Sequence, residues 1–164
     1  MPNTLTKARP EESKYYYSFI SANFNNSSTT ASVMLPLNGY VLESTSPGTG
    51  ATEYYGLIAP HDGILVNVKY RSEQQLRDSV VFELMTSGDG TELPTTITGT
   101  LTRTWSGGSR LLANTYDTAD FTGSLDSGAN TITKGNIIAI RMTMGGSAVV
   151  DCLTMVTFKY DVTT

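Results

Sequence analysis

The sequence feature that most constrains the fold is a pair of alternating segments between residues 63 and 94. In the first, every second residue is apolar from Ile64 through Val66 and Val68 to Tyr70, and polar residues such as Lys69 lie between them. The second repeats the pattern with Val80, Phe82 and Leu84. A period of two is typical of a strand with one buried face and one exposed face. The two segments therefore predict a pair of half-buried strands.

The remainder of the chain contains further short apolar segments separated by residues that favour turns. Strands are predicted near residues 15–20, 33–35, 40–42, 54–58, 95–104, 137–144 and 150–160, and a loop is predicted over 117–131. No segment of ten or more residues has helical periodicity. We therefore predict an all-β protein, an antiparallel, jelly-roll-like β-sandwich of about eight to ten strands.

Two local predictions and a domain organisation accompany this fold class. Gly63 is expected to adopt a positive φ in the turn before the first alternating strand, and residues 73–78 can form a single helical turn. Residues 1–14 combine two prolines with mixed charges and little that could be buried. We expect residues 1–14 to form an extended arm and residues 15–164 to form one β-sandwich domain.

Charge and composition limit the partners that this chain can have. Its net charge is −4 and its pI is about 4.9, so it lacks the broad cationic surface that nucleic-acid binding requires. No apolar segment approaches the roughly 20 residues of a membrane helix, and the first 14 residues lack a signal-peptide pattern. We therefore expect synthesis in a cytoplasm and no membrane or nucleic-acid partner.

Few residues offer catalytic chemistry. The single histidine, His61, is followed directly by Asp62 in a turn, and no nucleophile motif accompanies it. Asp89 and Glu92 could suggest a glycosidase pair, but they lie in and beside a Gly-Asp-Gly turn, where an aspartate stabilises backbone geometry. We expect a non-enzymatic protein with no catalytic residues and no small-molecule substrate.

Metal and cofactor sites are not expected either. One histidine and one cysteine cannot supply the three or four ligands of zinc. Three aspartates fall in one predicted loop, but their spacing misses the known calcium-loop pattern, so solvated acids are the preferred interpretation: Asp117, Asp120 and Asp126. The only cysteine, Cys152, lies in an apolar run, which favours a buried thiol over a reactive one.

Three groups of residues are candidates for binding surfaces. The arm can either fray or become ordered on a partner. Its candidate contact residues are Leu5, Lys7 and Arg9, together with the adjoining Tyr15 and Tyr16. Three consecutive tyrosines cannot all face one core, so Tyr17 is expected at a surface or subunit contact. On the last strand, Leu153 and Met155 form the centre of a second apolar face, which we expect to be a subunit interface. Aromatic residues near loop ends could instead stack on sugars, namely Tyr54, Tyr55 and Trp105.

Several turn motifs occur in an order that resembles virion structural proteins of tailed bacteriophages, especially those of cyanophages and other marine phages. The motifs are APHDG (59–63), a strand ending in RSE (71–73), DGTELP (89–94), KGNII (134–138) and a terminal FKYD (158–161). His61 replaces a more usual aromatic residue, Asn136 replaces an aspartate, and residues 105–130 match nothing in the family.

The resemblance implies a jelly-roll-like module on the virion, often trimeric, and no cofactor. The first expectation is a capsid decoration (cement) protein that grips neighbouring major capsid protein subunits on the outer capsid surface after synthesis in the host bacterial cytoplasm. The arm would contact the capsid, and Tyr17, Leu153 and Met155 would pack in a homotrimer. The alternative is a head- or tail-fibre module that binds a host-surface receptor or glycan.

Overall fold

The computed structural model describes residues 14–24, 32–38, 55–76, 79–88, 94, 96–104, 111–145 and 151–162. Every structural statement below concerns this part of the chain. Its regular secondary structure consists of eleven β-strands. The predicted all-β, antiparallel sandwich is therefore confirmed. The predicted strand at 40–42 and residues 1–13 of the arm lie outside the described residues.

The strands form two antiparallel sheets. Sheet A has the order β1 (Tyr15–Ser21), β11 (Cys152–Asp161), β4 (Gly63–Ser72) and β7 (Tyr116–Asp120), with β9 (Thr131–Ile132) also pairing with β4. Sheet B has the order β2 (Ser32–Met34), β10 (Ile137–Met144), β5 (Ser79–Ser87), β6 (Thr96–Thr104) and β8 (Ser127–Gly128), with β3 (Leu57–Ile58) pairing with β10. The chain crosses repeatedly between the sheets, as in a jelly roll.

The hydrophobic core lies between the two sheets. Sheet B contributes the fully buried Phe82 and Leu84, which the sequence alternation predicted, and Ile140 from the neighbouring strand. Sheet A contributes Tyr70, whose ring centroid lies 5.0 Å from that of Phe82. Each such side chain stabilises the fold by roughly 1.5–3 kcal/mol relative to an exposed position. The core therefore depends on register in both sheets.

The inward face of β4 differs from the predicted alternation. Leu65 and Val68 are fully buried, whereas Ile64 and Val66 are only partly buried. The cause is a β-bulge, because Thr157 pairs with Asn67 while the next residue, Phe158, pairs with Leu65. The extra residue, Val66, reverses the side-chain phase of the strand. The prediction was correct after the bulge and wrong before it.

Gly63 has a different role from the predicted one. Among the described glycines, positive φ values occur at Gly128 and Gly135, and Gly63 is not among them. A Cβ on Gly63 would lie 2.4 Å from the carbonyl oxygen of Lys159 on β11. Glycine is therefore needed at this position because two backbones approach closely, and not because a turn needs its conformational freedom.

The predicted loop over 117–131 was also wrong, since it contains most of β7, all of β8 and the start of β9. These strands are short, and β7 buries only Ala119 within its bounds, so no apolar alternation marks them.

In the segment predicted as a helical turn, residues 73–76 are not helical, and Leu76 forms an isolated bridge with Leu111. Of the predicted strand at 54–58, residues 55–58 are described, and only Leu57–Ile58 form a strand.

The close approach at Gly63 predicts that Gly63→Ala destabilises the fold. The added methyl group must displace the β11 backbone, so the free energy of unfolding should fall by about 2 kcal/mol in a urea titration. Gly88→Ala is the matched control, because no atom of the described residues lies within 4 Å of its ideal Cβ position. Its effect should stay within about 0.5 kcal/mol. Equal losses in both variants would contradict this interpretation of Gly63.

Candidate interaction surface

The outer face of sheet A carries exposed aromatic side chains along β1. Alternate residues of this strand point outward, so that Tyr17 is 54% exposed and Phe19 is 63% exposed. Their rings stack with centroids 6.5 Å apart. Within the described chain β1 pairs only with β11, so it forms one edge of the sheet. Exposed aromatic rings on an edge strand are characteristic of a surface that binds another chain.

The two tyrosines assigned to the arm contact have different environments. Tyr15 is exposed on the outer face, where the Lys159 ammonium lies 4.0 Å from the centre of its ring. Tyr16 points to the other side, and its ring centroid lies 5.2 Å from that of Tyr160 and 5.9 Å from that of His61. Tyr15 is therefore exposed on the outer face, while the Tyr16 ring packs against Tyr160 and His61 at the start of β1. The other predicted contacts of the arm, Leu5, Lys7 and Arg9, lie outside the described residues.

The three residues predicted at a subunit interface share one face but not one patch. Leu153 is 56% exposed and Met155 is half-buried, and both lie on the outer face of sheet A. Tyr17 pairs with Lys159, which is six residues from Leu153 along β11. That separation corresponds to roughly 20 Å. Tyr17 therefore belongs to the β1 edge, and Leu153 belongs to a second region beside β4 and β7.

This second region is a groove on the outer face around Leu153. Two adjoining depressions of about 470 Å³ and 350 Å³ share Asn23, Arg71 and Leu153 as lining residues. Tyr116, which is 74% exposed, forms one side of the groove. Its position follows from the pairing of β7 with β4, which sets Tyr116 opposite Arg71. We refer to these two depressions together as the Leu153 groove.

The charges of the Leu153 groove change sign along its length. Lys69 lines one depression, Arg71 lines both beside Leu153, and Glu73 and Asp151 line the other depression. Lys69 and Arg71 were not predicted as binding residues from the sequence. The alternation of β4 could have indicated them, since it places Val68 and Tyr70 inward and both cations outward. The groove itself could not be predicted, because it combines residues from four distant parts of the chain.

The structure corrects one of the three predicted sugar-stacking residues. Tyr55 is 0% exposed and packs with Met34, Met85 and Ala139 in a small cluster. The three partners belong to the face of sheet B opposite the main core, and Tyr55 covers it there. Its ring is therefore not available to stack on a sugar. Tyr54 and Trp105 lie outside the described residues.

A polar cluster joins the two sheets next to the groove. Arg103 of β6 donates two hydrogen bonds to Asp117 of β7, from Nε to Oδ2 at 3.1 Å and from Nη2 to Oδ1 at 3.3 Å. The Tyr70 hydroxyl donates to Oδ2 at 3.0 Å. Burial opposes ionisation of Asp117, but hydrogen bonds from Arg103, the Thr118 N–H and Tyr70 outweigh it and lower its pKa. The cluster is thus a tie between sheets A and B.

Cys152 borders the groove from below. It is buried, and burial raises the pKa of its thiol to about 12. The predicted buried thiol is therefore confirmed. Among the described residues no group of three metal-ligating side chains is close enough to hold an ion. The same part of the chain contains no helix long and apolar enough to cross a membrane.

The fold and the surface together define a jelly-roll-type β-sandwich with an exposed aromatic edge strand and a charged groove on one sheet. No protein-family model matches the chain, and no curated protein matches it. Among solved structures, it is similar to the Eiger TNF of S. frugiperda, with a TM-score of 0.37 and 11% identity over 87% of this chain and 92% of the other. It is also similar to a chain of infectious bursal disease virus, Gx strain, with a TM-score of 0.31 and 10% identity. That similarity covers 92% of this chain but only 33% of the viral one. At these scores neither similarity bears on function.

The polar cluster predicts a pH-dependent effect of Asp117→Asn. At pH of about 7 the substitution should cost about 1 kcal/mol of unfolding free energy, since the charge-assisted pairing with Arg103 is lost. Because the pKa of Asp117 is lowered on folding, its contribution is complete above the unfolded pKa of about 3.9 and disappears as the pH falls through the folded value. Urea titrations across this range should show the two proteins converging in acid.

The matched control for this experiment is Asp126→Asn, which alters an exposed carboxylate in a nearby loop. It should change the unfolding free energy by less than about 0.5 kcal/mol. A difference between wild type and Asp117→Asn that persists undiminished in acid would show that the carboxylate charge is not what stabilises the cluster.

The environment of Cys152 predicts slow thiol chemistry. A buried thiol with a pKa of about 12 is almost entirely protonated at pH of about 8, so the native chain should react with a disulfide reagent at least 100-fold more slowly than the unfolded chain. Absorbance of the released thiolate, followed with and without urea, measures this ratio. A native rate equal to the unfolded rate would contradict the burial of Cys152.

Proposed function

We propose that this chain is a non-enzymatic virion structural protein that acts as a capsid decoration, or cement, protein. It binds the outer surface of a phage capsid and stabilises the junctions between major capsid protein subunits. The observation that carries the proposal is the exposed aromatic edge formed by Tyr15, Tyr17 and Phe19 directly after the arm. The order of turn motifs, which resembles that of phage virion proteins, supports the same function.

The backbone of β1, as well as its side chains, favours binding of a partner along this edge of sheet A. The Lys14 carbonyl and the Ala22 N–H both pair with β11, so even-numbered residues of this strand face β11. Odd-numbered residues therefore direct their backbone N–H and C=O groups to the open edge. Tyr17 and Phe19 offer backbone hydrogen-bonding groups and apolar rings to the same partner. A strand or loop of a capsid subunit can satisfy both together.

The proposal includes a homotrimer on the capsid. Three linked copies raise the effective concentration of each remaining contact, so that modest single contacts hold the assembly firmly. Leu153 and Met155 are placed in the subunit interface, and the β1 edge is left for the capsid. This division assigns Tyr17 and Leu153, which lie roughly 20 Å apart along β11, to different partners. The proposed mechanism requires no bond making or breaking.

The test replaces the outward rings without touching the core. The double variant Tyr17→Ser, Phe19→Ser should reduce affinity for empty, expanded capsids of the encoding phage at least tenfold, because buried aromatic anchors dominate interface energies. Occupancy is measured by sedimentation of capsids with labelled protein. The matched control is Ile97→Ser, which removes a 44% exposed side chain from sheet B. The control should bind like wild type.

Two outcomes would overturn the proposal. One is wild-type occupancy by the double variant, which would remove the β1 edge from the interface. The other is the absence of capsid binding by the wild-type protein together with specific binding on an array of host-surface glycans. That second outcome would instead support a head- or tail-fibre module that recognises a receptor or glycan.

A further inference from the structure

The Leu153 groove has two cations, Lys69 and Arg71, that form no ion pair with another described residue. The ion pairs of the described residues are Arg103 with Asp117 and Arg141 with Glu83, so neither Lys69 nor Arg71 is paired with a carboxylate there. The Arg71 guanidinium has a hydrogen bond to the Asn114 amide oxygen, at 3.4 Å. Two cations on alternate positions of one strand point the same way. They form a site for an anionic group on the outer face of an acidic protein.

The opposite end of the groove excludes a simple polyanion. Glu73 and Asp151 line it, and they would repel a nucleic acid or a sulfated polysaccharide that extended along the groove. Lys69 and Glu73 are four residues apart on one chain segment, which corresponds to roughly 13 Å. That length fits about four residues of extended peptide. The matching ligand is a peptide with acids at one end, bases at the other and small or apolar residues between.

The chain itself contains such a sequence. Residues 5–12 read Leu-Thr-Lys-Ala-Arg-Pro-Glu-Glu, so the bases Lys7 and Arg9 precede the acids Glu11 and Glu12. Pro10 lies between the two charge types and favours an extended backbone. The segment from Lys7 to Glu12 has an extended length of roughly 17 Å. Its charge order and its length both complement the groove.

The geometry of sheet A separates this segment from the groove of its own chain. Lys14, at the start of β1, accepts a hydrogen bond from the Val162 N–H at 2.9 Å. Lys69, the nearer of the two cations, pairs with Met155, which is seven residues before Val162, or roughly 23 Å away. Glu11 is three residues from Lys14 and reaches only about 10 Å by its backbone. A groove that receives Glu11 and Glu12 must therefore belong to another copy.

We propose that residues 5–12 of one copy bind in the Leu153 groove of a neighbouring copy. Glu11 and Glu12 pair with Lys69 and Arg71, the bases of the segment lie toward Glu73 and Asp151, and Pro10 packs near Leu153. This proposal rests on the homotrimer part of the proposed function and names the contact that forms it. The arm then serves assembly of the oligomer, and the β1 edge alone contacts the capsid.

The experiment uses charge reversal in the full-length chain without capsids. Glu11→Lys with Glu12→Lys, and separately Lys69→Glu with Arg71→Glu, should each weaken self-association at least tenfold in sedimentation velocity. Combining all four substitutions restores complementary charges and the wild-type net charge, and association should return to within threefold of wild type. Association of the wild-type chain should weaken as salt rises, because partly exposed ion pairs are screened.

A matched pair of single variants separates a specific contact from general charge. Lys69→Glu and Lys134→Glu change the net charge equally. Lys134 is an exposed turn residue whose backbone N–H donates to Asp62, and it is not among the residues that line the groove. Only Lys69→Glu should weaken association. Urea titrations check that each variant folds.

Three results would overturn this inference: a wild-type chain that is monomeric at all concentrations, equal association in every variant, or no recovery in the combined variant. The measurement is independent of capsid occupancy, which is the readout for the proposed function. A failure of arm exchange with intact capsid binding, or the reverse, is therefore distinguishable.

Discussion

The pairing of β4 with β11 is the interaction on which the rest of the molecule depends. The two strands lie side by side at the centre of sheet A, and at Gly63 the Lys159 carbonyl leaves no room for a Cβ. The bulge at Val66 then sets which side chains enter the core for the remainder of β4. Because Val68 and Tyr70 point inward, Lys69 and Arg71 must point outward. The core and the charged groove are thus two consequences of one register.

The sequence was most informative where a strand had one buried face and no irregularity. The alternation of Val80, Phe82 and Leu84 correctly identified β5, since sheet B needs every second residue of that strand in the core. A bulge depends on the register with another strand, and the alternation of β4 alone cannot reveal it. The strands β7, β8 and β9 were missed for another reason: two-residue and polar strands are held by their neighbours and carry little pattern of their own.

Burial on the outer side of a sheet is the second limit on what the sequence can predict. Tyr55 and Trp105 look equally available near predicted loops, but Tyr55 covers an apolar patch on the outside of sheet B. The alternation placed Leu153 on the face of β11 opposite Cys152, where it is exposed, and its predicted role in a subunit interface stays a prediction. Tyr55 is buried because it packs against Met34, Met85 and Ala139, which lie far from it in the sequence. No local pattern around Tyr55 could indicate those contacts.

The arrangement of charge and apolar area explains how one sheet can serve two partners. The β1 edge offers aromatic rings and open backbone groups, which favour a partner that adds a strand and excludes water. The Leu153 groove offers charges of both signs, which favour a short segment of defined charge order and add little affinity for other sequences. Tyr17 and Leu153 lie roughly 20 Å apart along β11, so the two partners would meet different parts of that strand. An oligomer formed through the groove would therefore present several aromatic edges at once, and binding of the first edge would raise the effective concentration of the others.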